Sequence, residues 1–191
     1  MSAFTALVDE IKKCTICEDI LTPNPILQIA KNSRILIVGQ APGKVTSQQG
    51  ILFDDKSGER LRKWLDVSSE QFYDTANFSI LPVAFCYPGR GKEGDNPPPK
   101  ICAQTYMVNL QKELEGSLQF TIIIGAYAIK YELHNPKQDL TELVQEYKSF
   151  LPSRIVLPHP SPRNNIWLSK HKYFEEDIVP VLQNRIHEIL G

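Results

Sequence analysis

Short β-branched runs alternate with longer amphipathic stretches along the chain. The runs at 34–38, 78–85, 120–124 and 154–157 each close near Gly, Pro or Cys and predict four strands. Between them apolar residues recur at helical spacing over about 58–66, 99–115 and 126–147. A last stretch over about 173–190 places Phe174, Ile178, Val181, Leu182, Ile186 and Ile189 on one face. This alternation predicts an α/β fold, with a mostly parallel sheet covered by helices on both faces. In open sheets of this kind ligands sit beyond the carboxyl ends of the strands. The segments to watch are therefore Gly39-Gln40-Ala41-Pro42-Gly43, Cys86-Tyr87-Pro88-Gly89 and Pro158-His159-Pro160-Ser161-Pro162. Pro82 weakens the second strand, because proline supplies no ladder donor. The glycine- and proline-rich segment from Gly89 to Pro99 reads as one long ordered loop.

Composition narrows the picture without redirecting it. A length of 191 residues suits a single domain over 1–191, with 42% hydrophobic and 23% charged residues. No apolar run approaches the roughly 20 residues that cross a bilayer. Asp9 and Glu10 near the N-terminus argue against a targeting peptide, so the expected compartment is the cytoplasm and no membrane is expected as a partner. The net charge of −1 lacks the basic excess of a protein that binds nucleic acid by charge alone. Charge is uneven, however. No acidic residue lies between Phe150 and Phe174, where Arg154, Arg163, Lys170 and Lys172 are cationic. That block is either a solvated basic loop and helix start or a phosphate-facing surface.

The four cysteines form a pattern. Cys14 and Cys17 are separated by two residues, and Cys86 and Cys102 by fifteen. A CxxC pair with two further cysteines suits a four-thiolate site for zinc or an iron–sulfur cluster. The plainer reading is of free cysteines buried as small apolar residues, Cys86 among them.

Taken together, these residues resemble the uracil-DNA glycosylase superfamily over nearly the whole chain. Gly39-Gln40-Ala41-Pro42-Gly43, followed by Gly50-Ile51-Leu52-Phe53 and Ser57-Gly58-Glu59-Arg60-Leu61, is similar to the first motif of the family-four, iron–sulfur branch. His159-Pro160-Ser161-Pro162-Arg163-Asn164 resembles the second motif, in the form it takes in the single-strand-selective branch. The cysteine spacing is similar to that of the family-four cluster ligands. The resemblance implies a three-layer αβα sandwich around a four-stranded sheet. It also implies a 4Fe-4S cluster on Cys14, Cys17, Cys86 and Cys102, structural in role, with zinc or no metal as the alternative. The implied activity is that of a DNA glycosylase in base-excision repair. Such an enzyme acts, as a monomer, on single- or double-stranded DNA carrying a damaged base, uracil or a relative. Gln40, Ala41, Phe53 and His159 would bind the flipped base, with Gln40 and His159 catalytic. Ser161, Arg163 and Asn164 would contact the DNA backbone.

Two positions depart from the pattern. Ala41 stands where the uracil-excising branch has an Asp that orients water, and Gln40 stands where family four has Glu. Pro82 occupies the strand-two position at which uracil-reading relatives carry Asn, leaving Asn77, Asp95 or Asn96 as substitutes. Three functions fit the sequence: an active glycosylase for a deaminated base, a nucleic-acid-binding member with weak or no hydrolysis, and a redox or metal module built on the cysteines.

Overall fold

The computed structural model describes residues 2–92 and 94–191. Four strands form one sheet: β1 (Ile35–Gly39), β2 (Phe78–Pro82), β3 (Phe120–Ile124) and β4 (Arg154–Leu157). Their order is β2-β1-β3-β4 and every pairing is parallel. Each lies within one residue of the start of the run that predicted it, because strands buried on both faces need continuous apolar sequence. All residues of β1 and β2 are buried, which requires cover on both sides. Helices supply it, giving the three-layer α/β architecture.

The helices are α1 (Ala3–Lys12), α2 (Lys44–Gln49), α3 (Lys56–Leu65), α4 (Ser69–Tyr73), α5 (Lys100–Cys102), α6 (Val108–Leu114), α7 (Gly125–Glu132), α8 (Leu140–Gln145), α9 (Tyr147–Phe150), α10 (Asn165–Lys170) and α11 (Val179–Leu190). A π-helical segment, Ala103–Met107, joins α5 to α6, and another, Phe174–Ile178, leads into α11. The pattern over 126–147 reads as one stretch, but the structure divides it into α7, α8 and α9. His134 and Asn135 adopt left-handed φ values of 54° and 58° ahead of Pro136, which ends α7. A capping box between Asp139 and Glu142 then starts α8. Among the described residues, no helix is long and apolar enough to cross a membrane.

Pro82 is reconciled with its strand by position. It is the last residue of β2, an edge strand, opposite Gly39 in register. The outer edge of β2 is covered by the segment before β1, where Gln28 and Ile80 exchange backbone hydrogen bonds of 3.1 and 2.7 Å.

The two ends of the sheet differ. At the amino ends polar groups are tied down. Arg34 donates to Asn77 Oδ1 at 2.6 Å and to the carbonyl of Ile189 in the last turn of α11 at 2.6 Å. Ser79 donates to Ser33 at 2.7 Å, and Ser33 donates in turn to the Thr75 carbonyl. At the carboxyl ends the chain leaves β1 toward β2 and leaves β3 toward β4, in opposite directions, and the crevice where ligands bind in such sheets lies between β1 and β3. Replacing Ile122, fully buried on central strand β3, with Ala should lower the unfolding free energy by about 2–5 kcal/mol in guanidinium titration.

Candidate active site and cysteine cavity

An open cleft of about 690 Å³ lies at the carboxyl ends of the strands, large enough for a nucleotide. Its wall contains all seven residues singled out for base and DNA contact: Gln40, Ala41, Phe53, His159, Ser161, Arg163 and Asn164. Gly39 and Gln40 accept the N–H groups of Val83 and Ala84 through their carbonyls, fixing the turn after β1. The N–H groups of Gln40 and Ala41 themselves find no acceptor among the described residues. They are available to a carbonyl oxygen placed in the cleft.

Phe53 is half-buried and its ring stands edge-on to Phe72, with centroids 6.3 Å apart at 87°. Its backbone is left-handed at φ 58°, a conformation that costs a residue with a side chain of order 1 kcal/mol. Gly58 is fixed by the same turn, because a Cβ there would lie 1.6 Å from the Phe53 carbonyl oxygen. The motif glycine thus serves the aromatic five residues before it.

His159 follows β4 with buried prolines on either side. The Ser161 N–H donates to its Nδ1 at 3.2 Å. In the neutral ring the proton therefore sits on Nε2, which is left to act as a donor. Burial pulls the His159 pKa below its ordinary 6.5, and the negative charge of Asp55 opposes this without cancelling it. The loop is braced from within and from α3. Asn164 donates to the His159 carbonyl at 2.8 Å, and the Arg163 N–H donates to Ser161 Oγ at 3.2 Å. Arg60 donates to the Ser161 carbonyl at 3.3 Å and to Asn165 Oδ1 at 2.8 Å.

Of the three candidates to replace the missing base-reading Asn, only Asp95 lines the cleft, held by a 3.0 Å bond from the Tyr87 hydroxyl. Asn77 is locked at the far end of β2, and Asn96 donates to the Pro88 carbonyl. The basic block between Phe150 and Phe174 contributes Arg163 alone. Arg154 begins β4 at the opposite end of the sheet, and Lys170 closes α10. The other cations of the cleft, Lys44, Lys56 and Arg90, come from three separate segments. Among the described residues these cations, with Arg163, outnumber the two carboxylates there, Asp55 and Asp95. His171 stacks on Trp167 at 4.4 Å and His187 pairs with Asp66 on the surface, so both stay structural.

Asp55 is the residue that sequence reading missed. Its Oδ1 caps α3 by accepting the Gly58 N–H at 2.9 Å, and the carboxylate stands in the cleft wall within electrostatic range of His159. In sequence it is only an N-cap signal.

The four cysteines line a second, smaller and strongly apolar cavity with Ile16, Leu21 and Phe85. Cys14 and Cys17 follow α1, Cys86 follows β2, and Cys102 ends α5. No two of them are joined by a disulfide. Cys86 Sγ accepts the Asn24 N–H and Cys102 Sγ the Phe85 N–H, each at 3.4 Å. Burial raises the pKa of Cys17 and Cys86 and pushes Cys102 to about 12, so as free thiols they are protonated and unreactive at neutral pH. Among the described residues no three metal-ligating side chains close on a single-ion position. The donor set nonetheless fits a soft metal centre, with four sulfurs, amide donors to two of them, and no carboxylate or imidazole among the described lining residues.

The lowered pKa of His159 has a consequence for stability. A histidine that is harder to protonate in the fold contributes stability that is fully present above pH about 6.5 and is lost as pH falls through the folded value. Ring-proton NMR should give His159 a midpoint below 6.5, and His159→Gln should lessen the loss of stability as pH falls below about 6.5.

The family model described as the Uracil DNA glycosylase superfamily matches residues 27–183, a span holding all four strands and both loops that build the cleft. The chain belongs to the uracil DNA glycosylase superfamily.

Proposed function

We propose that the cleft takes up a deaminated base flipped out of DNA, uracil or a relative, and hydrolyses its N-glycosidic bond as a step of base-excision repair. The observation that carries this reading is the hydrogen bond that His159 Nδ1 accepts from the Ser161 N–H. With Nδ1 taken by the Ser161 N–H and burial favouring the neutral ring, the proton falls to Nε2, an uncharged donor on a residue that lines the cleft. Such a donor strengthens its hydrogen bond as negative charge gathers on the departing base. The N–H groups of Gln40 and Ala41 serve a base carbonyl in the same way. Phe53 supplies the stacking face. As the C1′–N bond breaks, its electron pair goes to the base. A water molecule bonds to C1′ and passes its proton to the Asp55 carboxylate, the acidic group that Gln40 and Ala41 lack. Gln40 orients the water through its amide. Ser161, Arg163 and Asn164, with Lys44, Lys56 and Arg90, face the phosphates of single- or double-stranded DNA.

The test is a panel of single- and double-stranded oligonucleotides, each with one uracil, hypoxanthine or xanthine, scored for abasic sites. Release of at least one base is expected, reduced about 100-fold or more by His159→Ala and by a smaller factor by Asp55→Asn, which keeps the helix cap. Absence of release from every substrate would sink the proposal. A second reading, nucleic-acid binding with weak or no hydrolysis, draws on Pro82, which offers no hydrogen bond to a base edge. Binding that weakens steeply with salt and leaves every base attached would favour it.

For the cysteine cavity we infer a 4Fe-4S cluster on Cys14, Cys17, Cys86 and Cys102, with zinc as the alternative. Either centre would tie the chain after α1 to the segments flanking the Gly89–Pro99 loop. Brown protein with visible absorbance and about four irons per chain is expected. Colourless protein with one zinc would select the alternative, and metal-free protein would refute both.

A further inference from the structure

Phe53 holds an unfavourable backbone conformation at the edge of the cleft, and the contacts that keep it there come from the side of the turn away from the cleft. Arg62, one turn from the end of α3, donates from its guanidinium to the Phe53 carbonyl at 3.1 Å. The Tyr73 hydroxyl, at the end of α4, donates to the Leu52 carbonyl at 3.1 Å and lies 3.3 Å from the same Arg62 nitrogen. Consecutive carbonyls of the turn are thereby held by two side chains that also touch one another. The guanidinium is seated over the rings of Phe72 and Tyr73, 5.5 and 5.7 Å from their centroids. Phe72 is fully buried and is the ring against which Phe53 stands edge-on. Arg62 is only half-buried, yet among the described residues it has no carboxylate partner within ion-pair distance. Its hydrogen bonds go to the turn and to Tyr73.

We propose that Arg62 and Tyr73 are positioning residues that hold Phe53 in its left-handed conformation, so that its ring is already aligned when a flipped base enters. The inference rests on the reading of Phe53 as the stacking face. Without the clamp the turn can relax to an ordinary conformation and swing the ring out of line. The base then has to order Phe53 as it binds, and its share of the affinity falls. Phosphate contacts, made by other residues, are untouched.

The test compares two affinities for each protein variant. One is for a single-stranded oligonucleotide carrying a 2′-fluoroarabino uridine or inosine, which resists glycosidic cleavage. The other is for the same strand with a tetrahydrofuran abasic analogue, which offers no base to stack. Base stacking on an aromatic ring is worth about one to two powers of ten in affinity. In Arg62→Met the ratio of the two affinities should fall about tenfold, and in Tyr73→Phe about threefold, while affinity for the abasic strand stays within about twofold. In a Phe53→Ala background Arg62→Met should change nothing further. Thermal unfolding verifies each fold, and Tyr73→Phe, which removes one oxygen, carries the test if Arg62→Met does not fold. An unchanged ratio in the folded variants, a further fall in the Phe53→Ala background, equal loss on the abasic strand, or a wild-type ratio near one would each overturn the inference. Base preference in binding without base release from natural substrates would defeat the proposed hydrolysis and leave the clamp standing.

Discussion

Burial of both faces of a parallel sheet is the constraint on which the rest of this molecule depends. Strands β1 and β2 have no exposed residue, so neither face of the sheet there can carry chemistry. Only the two ends of the strands remain. The amino ends are closed by the bonds among Arg34, Asn77, Ser33, Ser79 and the last turn of α11. Polar groups that are not already satisfied therefore collect at the carboxyl ends, where the connections from β1 and β3 leave in opposite directions. The family's two loops are found at that end.

What could be read from the sequence follows from the same constraint. Continuous apolar runs such as Ile35-Leu36-Ile37-Val38 have no plausible home except a doubly covered strand, and the four strands were legible to within a residue at their starts, although the run over 78–85 overshoots the end of β2 at Pro82. The loops after them were legible because Gly39–Gly43 and His159–Asn164 carry their chemistry in short contiguous strings. Features that depend on distant chain segments meeting were not. Asp55 has the local appearance of a helix cap and becomes part of the cleft only once α3 packs beside the loop after β4. Lys44, Lys56 and Arg90 are scattered in sequence and converge in space, whereas the contiguous basic block is dispersed by the fold. The break in the 126–147 stretch rests on left-handed backbone at His134 and Asn135, which hydrophobic periodicity does not register.

The cleft combines three electrostatic environments within a small volume. His159 is desolvated and neutral, Asp55 is exposed and capped by an amide, and the rim is cationic. A neutral donor is suited to a base that leaves with negative charge. A solvated carboxylate is suited to water and to the positive charge that develops on the sugar. A cationic rim is suited to phosphate. Separation is maintained by covalent geometry: His159 is anchored after β4, Asp55 at the start of α3, and the cations on flexible side chains at the margin.

Pro82 gives the cleft a floor that neither donates a hydrogen bond from its backbone nor reads a base edge with its side chain. The sheet contributes shape there and nothing more. Under the proposed function, selection among bases by hydrogen bonding falls to residues such as Tyr87 and Asp95, which lie after β2 and in none of the four strands. Substrate range would then be encoded apart from structural stability, free to change while every strand and its register stay as they are.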